Sequence, residues 1–348
     1  MPLPAKSVAV VLIGLLAQSQ AAKVPQVPQA QPQEQHGSAS SPFAEARHLT
    51  EIGKYDDAIS QLEALRNQTP PPAGLCHELG IAYYKKNDYA NAIPNLEKAL
   101  TENPNDGEAT QLIGICLYLA GRPSAAIPYL QKVLNWYPRA NVDAAYILGV
   151  SYIQNQQYDE ARQTFAKMFG FRGDSAAAYL FCARILFRLE FTAVTEEYVK
   201  KAIALEPRLP MAHYLLGELY LYQAKTDEAI AQFEQEIQLN PSYSNVYFKL
   251  GDAYSRVEKY DDAERLLQRS VWLDPNSSGP YILLGKVLLK KSEPELAARA
   301  LSRAIAMDPG NPMAHQLLGQ AYRTLGQNAD ADRELRQAAD LNRKPTKP

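Results

Sequence analysis

Histidine, cysteine and paired carboxylates are the side chains here that could carry metal, nucleophilic or acid–base chemistry, and their spacing argues against all three. The chain holds five histidines and three cysteines. Cys76, Cys116 and Cys182 are too widely and unevenly spaced to match a zinc-binding pattern. No HExxH, phosphate loop, nucleophile elbow or CxxC occurs. Asp56-Asp57, Glu196-Glu197 and Asp261-Asp262 are adjacent carboxylates. Each pair is expected near the start of a helix, where negative charge is favourable. The cysteines read as small buried hydrophobes. The expectation is therefore a non-enzymatic chain with no cofactor and no metal.

The elements that would position these residues follow one rule. Gly80, Gly114, Gly149, Ala183, Gly217, Gly251, Gly285 and Gly319 recur every 34 or 35 residues. Apolar residues recur every three or four positions on either side of each, as in amphipathic helices. One unit contains Ile113-Gly114, Leu117, Ala126, Leu130, Val133 and Pro138. Another contains Leu250-Gly251, Tyr254, Tyr260, Ala263, Leu267 and Pro275. The small residues allow two helices to approach, the large ones fill the space between units, and the closing prolines end each unit. So long a register means stacked copies of one supersecondary unit.

This register resembles the tetratricopeptide repeat, a 34-residue helix–turn–helix unit. The resemblance implies an all-α fold, a right-handed superhelical solenoid of about nine repeats over residues 39–345. The copies fall at about 39–72, 73–106, 107–140, 142–175, 176–209, 210–243, 244–277, 278–311 and 312–345. The first copy is weaker, with Glu45-Ala46 where the others carry Leu-Gly. The copy at 142–175 ends in Gly170-Phe171-Arg172-Gly173, and the next has Cys182-Ala183 and Thr195 at positions usually held by Leu-Gly and Ala, so curvature is expected to differ there. His213 and His315 occupy an aromatic packing position. The last helix, about 328–341, is rich in charge and suits a solvated end cap.

Residues 1–22 read differently. Lys6 precedes a short apolar run from Val8 to Leu16 and then small residues ending at Ala21-Ala22. That is the layout of a secretory signal, and the run is shorter than the about 18–20 residues needed to span a membrane. The expected location is periplasmic or secreted, with a membrane tether if the signal stays uncleaved. Residues 23–38, rich in Pro and Gln, are expected to form a disordered linker. Net charge is −2 and no basic stripe stands out, which disfavours nucleic acid as a partner.

The resemblance further implies that positions 2, 5, 9, 12 and 13 of each copy line an inner, concave face. Those positions supply Tyr84, Tyr118, Tyr146, Arg184, Phe187, Arg188, Tyr214, Phe248 and Arg256, the expected partner-binding residues. Lys85, Tyr222 and Lys290 extend a discontinuous line of basic and aromatic side chains at position 13. Tyrosine and arginine are enriched at interface hot spots. The expected function is an adaptor or scaffold of the cell envelope, binding in its groove a protein segment with apolar and acidic character. The alternatives are a polysaccharide-associated assembly factor and a regulatory subunit of an envelope enzyme. Position 9, occupied by Arg184, Glu218, Asp252 and Lys286 in successive copies, could instead pair along the stack.

Overall fold

The structure, a computed structural model, describes residues 41–136 and 142–343. The expected signal at 1–22 and linker at 23–38 lie outside the described residues, as does Pro138. The chain divides into two units, one ending at Gly170 and the other beginning at Phe171. Among the described residues every regular element is a helix. Unit 1 holds α1 (Ala44–Glu51), α2 (Tyr55–Arg66), α3 (Leu75–Lys85), α4 (Tyr89–Glu102), α5 (Gly107–Leu119), α6 (Pro123–Trp136), α7 (Val142–Gln154) and α8 (Tyr158–Phe169). Unit 2 holds α9 (Ala176–Arg188), α10 (Thr192–Leu205), α11 (Ala212–Tyr222), α12 (Thr226–Leu239) and α13 (Ser244–Arg256). It continues with α14 (Tyr260–Leu273), α15 (Ser278–Lys290), α16 (Pro294–Met307), α17 (Pro312–Thr324) and α18 (Asn328–Arg343). Odd-numbered helices open the repeats and even-numbered helices close them. Each packs on the next in sequence within its unit, and successive odd helices also touch, so each unit is an all-α repeat solenoid.

The turn inside each hairpin is the same device nine times. Position 15 has a left-handed backbone in every copy: Gly53, Asn87, Gly121, Gln156, Glu190, Ala224, Glu258, Ser292 and Gly326, with φ between 58° and 81°. The amide of the next residue reaches back to the carbonyl five residues earlier, as from Lys225 to Tyr220 at 2.8 Å. The amide of position 15 reaches back three, as from Ala224 to Leu221 at 3.1 Å. This two-bond pattern terminates a helix by satisfying carbonyls that would otherwise have no partner. Only three of the nine residues are glycine.

The helices of a hairpin meet where a large side chain sixteen residues downstream lies on the small residue of the register. A methyl group placed on Gly217 would meet the Phe233 ring at 2.6 Å, and one on Gly114 would meet Leu130 at 2.7 Å. Gly80 faces Leu96, Gly149 faces Phe165, Gly251 faces Leu267, Gly285 faces Leu301 and Gly319 faces Leu335 in the same way. The divergent copy keeps the register with Ala183 and Val199, both fully buried. There the larger first residue is matched by a smaller second one. Thr195, fully buried in that copy, donates its hydroxyl to the Phe191 carbonyl at 2.9 Å.

Helix starts are stabilised locally. Asp88, Asp106, Ser175 and Asn311 accept backbone N–H bonds at the starts of α4, α5, α9 and α17. Asp56-Asp57 and Asp261-Asp262 lie in the first turns of α2 and α14, as expected. Glu196-Glu197 do not: they sit one turn further into α10, where Glu196 accepts from Lys200 at 2.7 Å and from Tyr220 at 3.3 Å. The Lys200 ammonium and its hydrogen bond hold the Glu196 carboxyl below the usual range. The closing helix α18 buries only Ala331 and Ala338, and Arg333 on it pairs with Asp330 and Glu334.

Three substitutions test this geometry. Gly217→Ala forces the Phe233 ring to move and should destabilise the protein by about 1–3 kcal/mol. Adding Phe233→Val recreates the Ala183–Val199 match and should recover part of that loss. An unchanged urea midpoint for the single variant, or no recovery in the double, would contradict the seating. Ala224→Gly removes a left-handed alanine and should raise stability by about 0.5–1 kcal/mol, the steric relief outweighing the entropy of glycine. A lowered midpoint would show that the turn tolerates its side chain without strain.

Candidate functional site

The inner-face positions behave differently in the two units. In unit 1 they belong to α1, α3, α5 and α7. Tyr84 and Tyr118 are half-buried, and Tyr146 is buried with its ring centroid 6.0 Å from that of Phe165. Burial raises the Tyr84 hydroxyl and pushes that of Tyr118 up to about 12. The Lys85 ammonium lies 5.9 Å from the Tyr84 ring centroid. A cleft of about 550 Å³ opens on the first helices, lined by Arg47, Thr50, Glu51, His77 and Glu78 among others. Its charges are largely satisfied internally. Arg47 Nε donates to Glu78 at 2.9 Å, and His77 Nδ1 lies 2.6 Å from Asp106.

In unit 2 the corresponding helices are α9, α11, α13 and α15. Tyr214 on α11 is buried, with its ring 5.9 Å from Phe233 and 5.3 Å from Tyr243. Its hydroxyl donates to Glu218 at 3.1 Å, and burial followed by the Glu218 charge raises its pKa. Tyr146 and Tyr214 therefore belong to the packed wall of their units rather than to open surface. Phe248 is half-buried, its ring next to Gly279 of the following copy. Phe187, also half-buried, meets Tyr222 edge-on at 5.9 Å. Tyr222 is 60% exposed, an open aromatic surface beside Arg184 and Arg188 in the register.

The position 9 side chains do not pair with one another. Glu218 binds Lys249 of the next first helix at 2.9 Å. Asp252 takes Arg256 of its own helix, at 2.8 and 3.0 Å. Arg256 is thus exposed but already paired, whereas Arg184 and Arg188 are exposed and make no ion pair among the described residues. All four copies present the same position, and the charge available on the same or the neighbouring helix decides which side chain stays open.

Among the described residues, no three His, Cys, Asp or Glu side chains gather as a metal would require. All three cysteines are buried, and burial pushes the Cys116 thiol up to about 12. That disfavours the thiolate a nucleophile needs. No described helix is long and apolar enough to cross a membrane.

One residue that shapes this face is not apparent from the inner-face positions. Glu236 on α12 is fully buried. It accepts backbone N–H bonds from Met211 at 2.9 Å and Tyr214 at 3.2 Å, and a bond from Asn240 at 3.0 Å. α11 has no side-chain cap of its own: Met211, which precedes it with a φ of 70°, has no side-chain oxygen to accept a backbone N–H. The carboxylate of the partner helix supplies the missing acceptor and fixes the start of the helix that carries Tyr214, Glu218 and Tyr222. The signal for it was a charge at a register position where other copies carry Ala99, Val133, Ala202 or Ala304. Glu236→Ala should lower stability by about 1–3 kcal/mol, since two N–H groups lose their acceptor. An unchanged urea midpoint would show that water reaches those groups.

Three segments, residues 182–244, 214–279 and 282–344, match the family model described as tetratricopeptide repeat. Residues 85–168 match the model described as anaphase-promoting complex, cyclosome, subunit 3. No curated protein matches the chain significantly. Among solved structures, MamA 41-end from Desulfovibrio magneticus RS-1 is 21% identical with a TM-score of 0.47, covering 50% of this chain and 98% of that one. YrrB, described as a TPR protein with an unusual peptide-binding site, is 22% identical with a TM-score of 0.46, covering 53% and 93%. The APC/C hetero-tetramer Cut9-Hcn1 is 19% identical with a TM-score of 0.44, covering 80% and 55%. With its 34-residue register, the helix pairs that register produces and the repeat model running through unit 2, the chain belongs to the tetratricopeptide-repeat proteins.

Proposed function

We propose that this protein is a non-catalytic adaptor, exported to the cell envelope, that holds a segment of a partner protein against the inner face of unit 2. Binding of other proteins is the general role of tetratricopeptide scaffolds. The observation that carries the finer reading is the open surface around Arg184 and Arg188. Both guanidinium groups are exposed and unpaired among the described residues, and the exposed Tyr222 ring rests on Phe187 beside them. A planar guanidinium binds a carboxylate in a two-point fork, and an exposed tyrosine supplies apolar contact at little entropic cost. A partner segment with acidic and apolar side chains fits both. Export rests on the signal-like sequence of residues 1–22.

The test is a crosslinking pull-down from the native cell with the full chain as bait, with cell fractionation and the N-terminal mass of the recovered chain. The expected result is a stoichiometric protein partner that is lost when Arg184→Glu and Arg188→Glu are combined, while the melting curve is unchanged. Recovery should be from the envelope or the medium. A partner retained by the double variant would move the site elsewhere, and an intact, cytosolic chain would overturn export. Capture of glycan in place of protein would favour a polymer-binding role.

A further inference from the structure

We infer that the inner face of unit 2 is two-ended: it recognises a peptide carrying two separated acidic clusters, one at each end of an apolar stretch. This inference rests on the reading of that face as the partner site.

Two like-charged pairs mark the ends. Arg184 and Arg188 lie four residues apart on α9, and Lys286 and Lys290 lie four apart on α15 at the same two register positions. All four side chains are exposed, and none makes an ion pair among the described residues. Like charges at this spacing on a helix repel. The contrast with Lys291 is sharp, because the very next side chain is held by Asp261 at 2.7 Å, Glu264 at 2.6 Å and Glu293 at 3.4 Å.

Between the two ends the same register is neutral. Glu218 is paired with Lys249 and Asp252 with Arg256. The difference has a sequence cause. The residue at position 6 of the following copy, which supplies Lys249 to Glu218, is Leu215 after Arg184 and Leu317 after Lys286. The middle instead offers aromatic and apolar surface, with Tyr222 open and Phe248 half-buried. Charge complementarity then fixes the occupant as a peptide with carboxylates at both ends and apolar side chains between. A uniformly charged polyanion would lay its charge over Glu218 and Asp252.

The spacing follows from the helices. α9, α11, α13 and α15 touch in succession, so three steps separate the cation pairs. At about 8–10 Å per packed helix pair the ends lie roughly 24–30 Å apart. An extended chain covers that span in about eight residues.

Three labelled probes test this on the full chain by fluorescence anisotropy. The first is a peptide with two glutamates at each end of about eight apolar and neutral residues. The second has the same composition with its glutamates contiguous. The third is short polyphosphate of equal charge. The expected result is that the first peptide binds at least about tenfold tighter than the second, through joint engagement of both ends. Arg184→Gln with Arg188→Gln, or Lys286→Gln with Lys290→Gln, should each abolish that preference. Equal binding of the two peptides, polyphosphate binding as tightly as the first peptide, or no binding of the first peptide would each overturn the two-ended reading. If binding depends on the arginine pair alone, the two-ended reading fails and the proposed partner site stands. If the pull-down partner also survives the arginine reversal, that site fails as well.

Discussion

The close seat of one large side chain on one small residue sets the geometry on which every other feature rests. Leu96, Leu130, Phe165, Phe233, Leu267 and Leu301 lie over Gly80, Gly114, Gly149, Gly217, Gly251 and Gly285, with no room for a β-carbon between. Each of these large side chains is fully buried. Burying one contributes on the order of 1.5–3 kcal/mol, and within a solenoid that contribution recurs copy by copy instead of accumulating in a single core. Because the seat fixes the distance between the two helices of a hairpin, it also fixes which side chains of the first helix are left on the inner face. The departure at Ala183 and Val199 shows that the constraint is on summed volume: the first residue grows and the second shrinks, and both remain fully buried.

The architecture was legible because this constraint writes itself into the sequence as a 34-residue register of small residues. The turn was not. Position 15 takes a left-handed backbone in all nine copies, yet Gln156, Glu190, Ala224, Glu258 and Ser292 carry no sign of it. Glycine is the usual residue for such a backbone, and its absence hides the turn from a reading by residue type. The surrounding hairpin holds these residues there, since the same pair of back-reaching hydrogen bonds closes the turn whichever side chain is present. Two other internal features escaped for a related reason. Pro94 and Pro128 lie inside α4 and α6, at the same register position in adjacent copies and on exposed sites. A proline there reads as a helix break, whereas packing on the neighbouring helices carries the helix through it.

The candidate site was legible in part. Position within the repeat picked out Phe187, Arg184 and Arg188 on α9, where both arginines are exposed and Phe187 is half-buried. It could not separate open surface from packed wall. Tyr146 and Tyr214 share a register position, and both are buried against the phenylalanine that fills their own hairpin. In copies where leucine fills that seat no such ring contact arises, so the difference depends on two residues at once. Nor could position alone tell which charges are spent. Arg256 and Arg188 are the same residue at the same position, and only Asp252 four residues before Arg256 distinguishes them. Glu236 was hidden in a third way: it substitutes for a cap on a different helix, and its partners are the backbone N–H groups of Met211 and Tyr214.

Repetition makes these departures informative, since neighbouring copies provide the reference for each. A charge on a core position would ordinarily be costly, and Glu236 is tolerated because three donors satisfy it. The exposed cations of α9 and α15 have no such compensation among the described residues of unit 2. Pairs of like charge four residues apart cost an isolated helix a few tenths of a kcal/mol, and the intervening copies show that this fold can neutralise the same register through Lys249 or Arg256. Folding therefore gains nothing from leaving Arg184, Arg188, Lys286 and Lys290 open, and does not require it. A ligand that brings its own carboxylates to those ends would supply the missing charge, and the neutral aromatic middle would then separate the two contacts instead of competing with them.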